Sequence, residues 1–548
     1  MFFLLTVVYF LKVCYSYQGP DVQTPLGSVR GVWKTSLQGN VYSSFEGIPY
    51  AKPPVGDLKF EEPVPIGPWQ GIWEATKVYQ CLQDGLVGAM GSEDCLYLNI
   101  YVPGKNVEQH KKLDVVVLIH GGAFMMGSGD MMLNSAFVMD QDHTIYISIN
   151  YRLGLLGFLS TEDDEIPGNN GMKDQVVALK WVNDNIEYFG GNPNSITLTG
   201  MSAGAASVHL HYLSPLSKGL FQRGMSHSGT ALNPWVIKEN PLVFAKNLSA
   251  SVGCPESPSK ELKECIKRRP SNLLLEKSGI FKEYQQMPFS PFAVVIDGYS
   301  KNPFLPENPY QMLLKKKVAD LPWLASMTRD EGIFPGAWYC DSWDEIDKNF
   351  IQKAHILLDY NHTLPEEIRE NFATKIKDYY LGKGESLKEE NSNKFYDLLT
   401  HRFFAIGVED AIRLQSEANK SPVYYYYFNV DEGKSQIASF LCPHKEIKGV
   451  GHCDDIFYMY GFQLANIEPI KKLKSVFDKI IKSFVSGQYH LLKDNFNWWP
   501  SEGKYLTYLN ITSDTDLNVQ NIHTMVPEGI WDDLNNIEYD IKDIKDEL

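Results

Sequence analysis

Two hydrophobic patterns alternate along the first two hundred residues. Leu113–Ile119 and Thr144–Ile149 are short runs of mostly apolar, β-branched residues, which predicts strands buried on both faces. Between 172 and 189 the pattern changes: Val176, Val177, Trp181, Val182, Ile186 and Phe189 recur at helical spacing, with Asn170 or Gly171 at the start and Gly190-Gly191 at the stop. An alternating β-branched stretch, 195–199, follows directly and predicts another strand. Strand, helix, strand with fully apolar strands implies an α/β class, a mostly parallel, doubly wound central sheet with helices on both faces.

Further strands are predicted at 26–33, 40–50, 292–296, 321–327 and 423–430, with helices at 305–317, 343–358, 364–381 and 387–418. The run Tyr424-Tyr425-Tyr426-Tyr427 fits a core strand with aromatic faces. The helical segments after residue 300 pack outside the sheet and can roof a site.

At 548 residues and 44% hydrophobic, the chain can bury large cores. Length alone suggests several domains of about 150 residues. No linker, repeat or low-complexity tract divides it. The expectation is a leader over 1–16, one catalytic domain over 17–535 and a charged tail over 536–548. A formal net charge of -16 argues against nucleic acid as a partner.

The apolar leader is too short to span a bilayer and ends near Cys14-Tyr15-Ser16, as a secretory signal does, and no later stretch reads as a membrane span. Lys545-Asp546-Glu547-Leu548 reads as a retrieval address that the KDEL receptor would bind, so residence in the endoplasmic-reticulum lumen is expected, with secretion as the alternative. In that compartment local disulfides Cys81 to Cys95 and Cys254 to Cys265 are expected, each worth about 3 kcal/mol. Cys340, Cys442 and Cys453 are left without an assigned partner; for Cys453 a bond to Cys442 or an inert buried thiol is expected. Asn247, Asn361 and Asn510 begin glycosylation sequons.

Candidate chemistry centres on Gly200-Met201-Ser202-Ala203-Gly204, which follows the 195–199 strand and opens into helix-compatible residues. On a sharp strand-to-helix turn a serine projects its hydroxyl clear of the sheet, and flanking glycines remove side chains that would collide there. Such a nucleophile needs a base, a group to orient the base, and donors for the developing oxyanion. His120-Gly121-Gly122-Ala123 ends a predicted strand, so the backbone N–H groups of Gly122 and Ala123 are candidate donors together with that of Ala203. His452, in the glycine-rich Gly449-Val450-Gly451-His452, is the leading base, with His444 and His227 as rivals. Glu331 follows a predicted strand and lies between serine and histidine in chain order; Asp330, Asp454 and Asp455 are the alternatives. An imidazole base must be neutral, so activity is expected to rise through roughly pH 6 to 7. This chemistry calls for no metal and no cofactor.

Glu93-Asp94-Cys95-Leu96-Tyr97-Leu98-Asn99 and the stretch from Phe189-Gly190-Gly191-Asn192-Pro193 through Gly204 resemble the two signatures of the type-B carboxylesterase and cholinesterase family. The resemblance implies an α/β-hydrolase fold, the Cys81 to Cys95 disulfide, a triad of Ser202, Glu331 and His452, and an oxyanion hole from Gly122, Ala123 and Ala203. It also implies Ser228 as a hydroxyl beside the triad. Ala123 stands where the family often has a third glycine, a mild departure because the donor is backbone.

Between Leu82 and Asp94 there is no tryptophan to stack on a choline cation, so the chain is more similar to insect general carboxylesterases than to cholinesterases. The expected activity is hydrolysis of small-molecule esters through an acyl-enzyme. The alternatives are a juvenile hormone esterase, which carries Gln in place of Met201, or a catalytically silent binding protein on the same fold.

Overall fold

The computed structural model describes residues 19–85, 88–141, 143–462 and 470–544. The expected leader, residues 1–16, and the Lys545-to-Leu548 tetrapeptide lie outside them. Eleven strands form the main sheet: β1 (Val32–Thr35), β2 (Val41–Pro49), β3 (Tyr97–Pro103), β4 (Leu113–Ile119), β5 (Thr144–Ile149), β6 (Gly191–Met201), β7 (Arg223–His227), β8 (Trp323–Thr328), β9 (Val423–Phe428), β10 (Leu506–Ile511) and β11 (Leu517–Ile522). Their spatial order is β11-β10-β9-β8-β7-β6-β4-β5-β3-β2-β1. The strands from β10 across to β5 pair in parallel, and the flanking strands at both edges are antiparallel.

Strand periodicity divides the apolar residues between two cores. Val115, Val117 and Ile119 of β4 enter one, and Val116 and Leu118 enter the other, all fully buried. Each such side chain contributes about 2 kcal/mol of burial. The first core lies beneath α1 (Asn170–Asn185) and α2 (Ala203–Leu213); the second is covered by α7 (Ile470–Val485) through Leu473, Phe477 and Ile481. Four further helices, α3 (Trp343–Leu357), α4 (Glu366–Tyr380), α5 (Ser392–Thr400) and α6 (Ile406–Ala418), fall within the predicted helical segments. Among the described residues no helix is long and apolar enough to cross a membrane.

Three expectations are corrected. The 292–296 segment is not a strand: only Val294 bridges to Ile237, and the backbone of Val295 is satisfied on both sides by the Asn169 amide, at 2.8 and 2.9 Å, which does the work of a neighbouring strand. The boundary at 535 falls inside α8 (Asp532–Ile544), where Glu538 is buried against Arg402 at 2.6 Å, so the charged tail begins later. Asn510 is 8% exposed within β10, between two paired strands, and a glycan there would open the sheet. Asn247 is exposed and Asn361 half-buried.

Disulfides join Cys81 to Cys95, Cys254 to Cys265 and Cys340 to Cys442. The third removes the Cys442-to-Cys453 option and leaves Cys453 a free, buried thiol, pushed well up by burial away from its reactive thiolate form.

Candidate active site

The serine turn is built from close backbone contacts. Ser202 sits at φ 55°, ψ −123°, between the end of β6 and the first residue of α2. A Cβ on Gly200 would lie 2.3 Å from the Gly204 carbonyl, and one on Gly204 would lie 2.1 Å from the Ile119 carbonyl, so both positions exclude any side chain. The Ser202 N–H donates to the His227 carbonyl at 2.8 Å and its own carbonyl accepts from Ala206 at 2.9 Å. A non-glycine residue held at positive φ costs of order 1 to 3 kcal/mol, which these contacts must offset.

Against this turn lies the loop after β4. A Cβ on Gly121 would come within 3.2 Å of the Ser202 Cβ. Gly122 (φ 107°), Ala123 (φ 55°) and Phe124 (φ 60°) carry three positive φ angles in succession. The loop's carbonyls are tied down: Tyr151 donates to His120 at 2.9 Å, Met125 and Met126 to Gly122, and Gly154 to Phe124 at 2.7 Å. The N–H groups of Gly122, Ala123 and Ala203 donate to no other described residue.

Glu331 and His452 come from the loops after β8 and β9. His452 Nδ1 lies 2.5 Å from Glu331 Oε2, and Glu331 Oε1 accepts from Ser228 Oγ at 2.6 Å and from the Thr328 N–H at 2.7 Å. Glu331 is fully buried and His452 is 4% exposed. With Nδ1–H donated to the carboxylate, Nε2 is the acceptor nitrogen; it is buried and has no hydrogen-bond partner among the described residues.

The imidazole is stacked on Phe334 at 5.0 Å and flanked by Phe404 at 4.6 Å. Phe404 belongs to the π-helical turn His401–Ala405 that joins α5 to α6, which offsets the helix face it presents. Phe289 and Trp235 extend this wall, at 5.6 Å from Phe334 and 6.2 Å from Phe404. The result is an apolar surround for the His452 ring.

The rival residues have other partners. His227 is buried and bonded to Ser326 and Tyr426, and burial pushes its pKa down to about 3. His444 is exposed and paired with Asp341 at 2.8 Å. Asp330 joins the acid loop to the base loop: its N–H donates to the Val450 carbonyl at 2.9 Å, and its carboxylate accepts from the Val450 N–H at 2.8 Å. Asp454 accepts from Gly451 and Ile437, and Asp455 from Tyr426 at 2.6 Å and Ser326 at 3.2 Å. Burial pushes Asp455 up to about 6 and Asp454 up to about 8.

The aromatic wall and β7, whose His227 carbonyl and neighbouring Ser228 join the serine turn to Glu331, have no counterpart in the sequence motifs. Arg223-Gly224-Met225-Ser226-His227 offers neither alternation nor an apolar run. Ser226 and His227 are buried and bonded to neighbours distant in sequence, Ser226 Oγ donating to Ala205 at 3.0 Å and His227 Nδ1 meeting Ser326 and Tyr426.

A parallel sheet with this strand order, and a strained serine where a central strand meets a helix, defines an α/β-hydrolase. The carboxylesterase family model matches residues 18–526, and the chain belongs to that family: it is a carboxylic ester hydrolase. It is 37% identical over 555 residues to venom carboxylesterase-6 of Apis mellifera, covering 96% of this chain and 97% of the relative. It is also 37% identical over 475 residues to the juvenile hormone esterase of Tribolium castaneum, covering 82% and 80%. The crystal structure of juvenile hormone esterase from Manduca sexta with OTFP covalently attached superposes with a TM-score of 0.82 at 26% identity, over 96% of this chain and all of that one.

Proposed function

We propose that Ser202 is the nucleophile, His452 the general base and Glu331 the orienting acid of a serine carboxylesterase that works through an acyl-enzyme. The observation that carries this reading is the 2.5 Å contact between Glu331 and His452 Nδ1, which leaves Nε2 as a buried acceptor without a partner. Ser202 Oγ bonds to the ester carbonyl carbon while Nε2 takes its proton. The carbonyl oxygen becomes negative and accepts from the N–H groups of Gly122, Ala123 and Ala203; one such donor is worth about 3 kcal/mol to the transition state. Collapse breaks the bond to the alcohol oxygen, which leaves with the proton from Nε2. Water then adds to the acyl carbon, Nε2 takes and returns a proton by the same route, and the carboxylic acid departs.

Ser228 steadies Glu331 rather than touching substrate. The aromatic wall of Trp235, Phe289, Phe334 and Phe404 favours esters with apolar groups. Ser202→Ala tests the assignment: turnover of a chromogenic ester should fall by about four to six orders of magnitude, and a fluorescent organophosphonate should no longer label the protein. Labelling at another residue would overturn it.

A juvenile hormone esterase is the narrower reading, supported by the relatives of that name. The general carboxylesterase is favoured by the venom carboxylesterase, which matches at the same identity over more of the chain. Comparing kcat/KM for a short ester, a long-chain ester and the hormone separates the two. We further propose residence in the endoplasmic-reticulum lumen, consistent with three disulfides. Deleting residues 545–548 should move the protein from cells to medium; a full-length chain already secreted freely would refute it.

A further inference from the structure

Ser290 belongs to no motif, yet its hydroxyl donates to the Ala123 carbonyl at 2.8 Å and the residue is 4% exposed. The peptide joining Ala123 to Phe124 lies between two residues at positive φ, a conformation that L residues rarely adopt unless held. That peptide carries the Phe124 N–H; without a hold on its carbonyl, Ala123 and Phe124 could leave the left-handed region, and the loop they belong to would no longer be anchored beside Ser202. The carbonyls of His120, Gly122 and Phe124 accept from Tyr151, from Met125 and Met126, and from Gly154; among the described residues the Ala123 carbonyl accepts from the Ser290 side chain, delivered from a segment 167 residues away.

The same segment carries Phe289, which packs against Phe334 at 5.6 Å and Phe403 at 5.5 Å, and Phe334 is stacked on His452. Two adjacent residues therefore touch the wall around the imidazole and the turn that presents the oxyanion donors.

We propose that Ser290 is a positioning residue for ester hydrolysis: its hydrogen bond to the Ala123 carbonyl anchors, from outside the loop, the segment that carries the Gly122 and Ala123 N–H groups beside Ser202. The inference rests on the oxyanion-hole reading above. Because the donors matter most when negative charge develops, the hydrogen bond acts on kcat rather than on ground-state binding.

The test uses the full-length chain and its Ser290→Ala and Ser290→Thr variants, assayed with a short and a long-chain p-nitrophenyl ester after active-site titration with an organophosphonate. For Ser290→Ala, kcat per titrated site should fall about five- to tenfold, the size of one hydrogen bond, with KM within about twofold and the pH midpoint of kcat/KM unchanged. Ser290→Thr, which keeps the hydroxyl, should recover most of the loss.

An unchanged kcat per titrated site for Ser290→Ala, even in a less stable protein, would overturn the inference and leave the function standing. So would a rise in KM at constant kcat. Turnover surviving Ser202→Ala would remove both.

Discussion

The two halves of the active site are held by different physics. On the serine side, Ser202 and Gly122-Ala123 sit at the ends of adjacent parallel strands, and their strained backbones are fixed by carbonyl contacts that no side chain at Gly200 or Gly204 would survive. On the acid–base side, Glu331 and His452 are 121 residues apart and meet through hydrogen bonds: Glu331 to His452, Asp330 to Val450, Ser228 to Glu331. The Cys340–Cys442 disulfide closes the same two loops, since Cys340 follows Glu331 and Cys442 precedes His452. The serine turn is thus set chiefly by close steric exclusion, with hydrogen bonds such as Ser202 to His227 beside it, and the Glu331–His452 pair by long-range polar and covalent ties. Steric exclusion tolerates no substitution but needs no partner, whereas a polar tie fails when either partner is changed.

Glu331→Gln is the strongest test of this split. It keeps shape and burial but offers the imidazole the wrong hydrogen-bonding pattern, so kcat should fall about 10³- to 10⁴-fold with the fold intact by circular dichroism. A loss below about tenfold would mean that the serine side carries the chemistry without an oriented base.

Replacing Cys340 and Cys442 together with alanine should cost about 4 to 5 kcal/mol in urea unfolding, as loop-closure entropy predicts for a separation of 102 residues. Unfolding unchanged from wild type would show that the hydrogen bonds alone close the acid–base loops.

A smaller effect is expected at Asp455. Its folded pKa, about 6, lies above the ordinary 3.8, so the unfolded chain gives up the proton first as pH rises. The contribution of Asp455 is therefore full below about pH 4 and is lost as the pH rises through about 6, up to about 3 kcal/mol at 1.36 kcal/mol per unit, against the opposite trend of buried histidines such as His227. Asp455→Asn should flatten that slope in thermal melts between pH 4 and 6. A slope that persists would assign the sensitivity to another group, Asp454 on the base loop first.

The contrast between the two halves also marks where the sequence was legible. Buried strands β4 and β5, helix α1, the tyrosine strand β9 and the Gly200-to-Gly204 turn are each encoded within about a dozen residues, because periodicity, β-branching and glycine sterics act between chain neighbours. Chain order and the glycine-rich loop around His452 singled out Glu331 and His452 as candidates, and family resemblance in two short motifs added Ser228.

What only the tertiary structure decided is which distant groups meet. Strand β7 links the serine turn to Glu331, Asp330 ties loops instead of orienting the base, Cys340 pairs with Cys442, and Ser290 reaches Ala123. Each depends on the order of strands in the sheet, and a buried polar residue reveals its partner only once that order brings the two within hydrogen-bond reach.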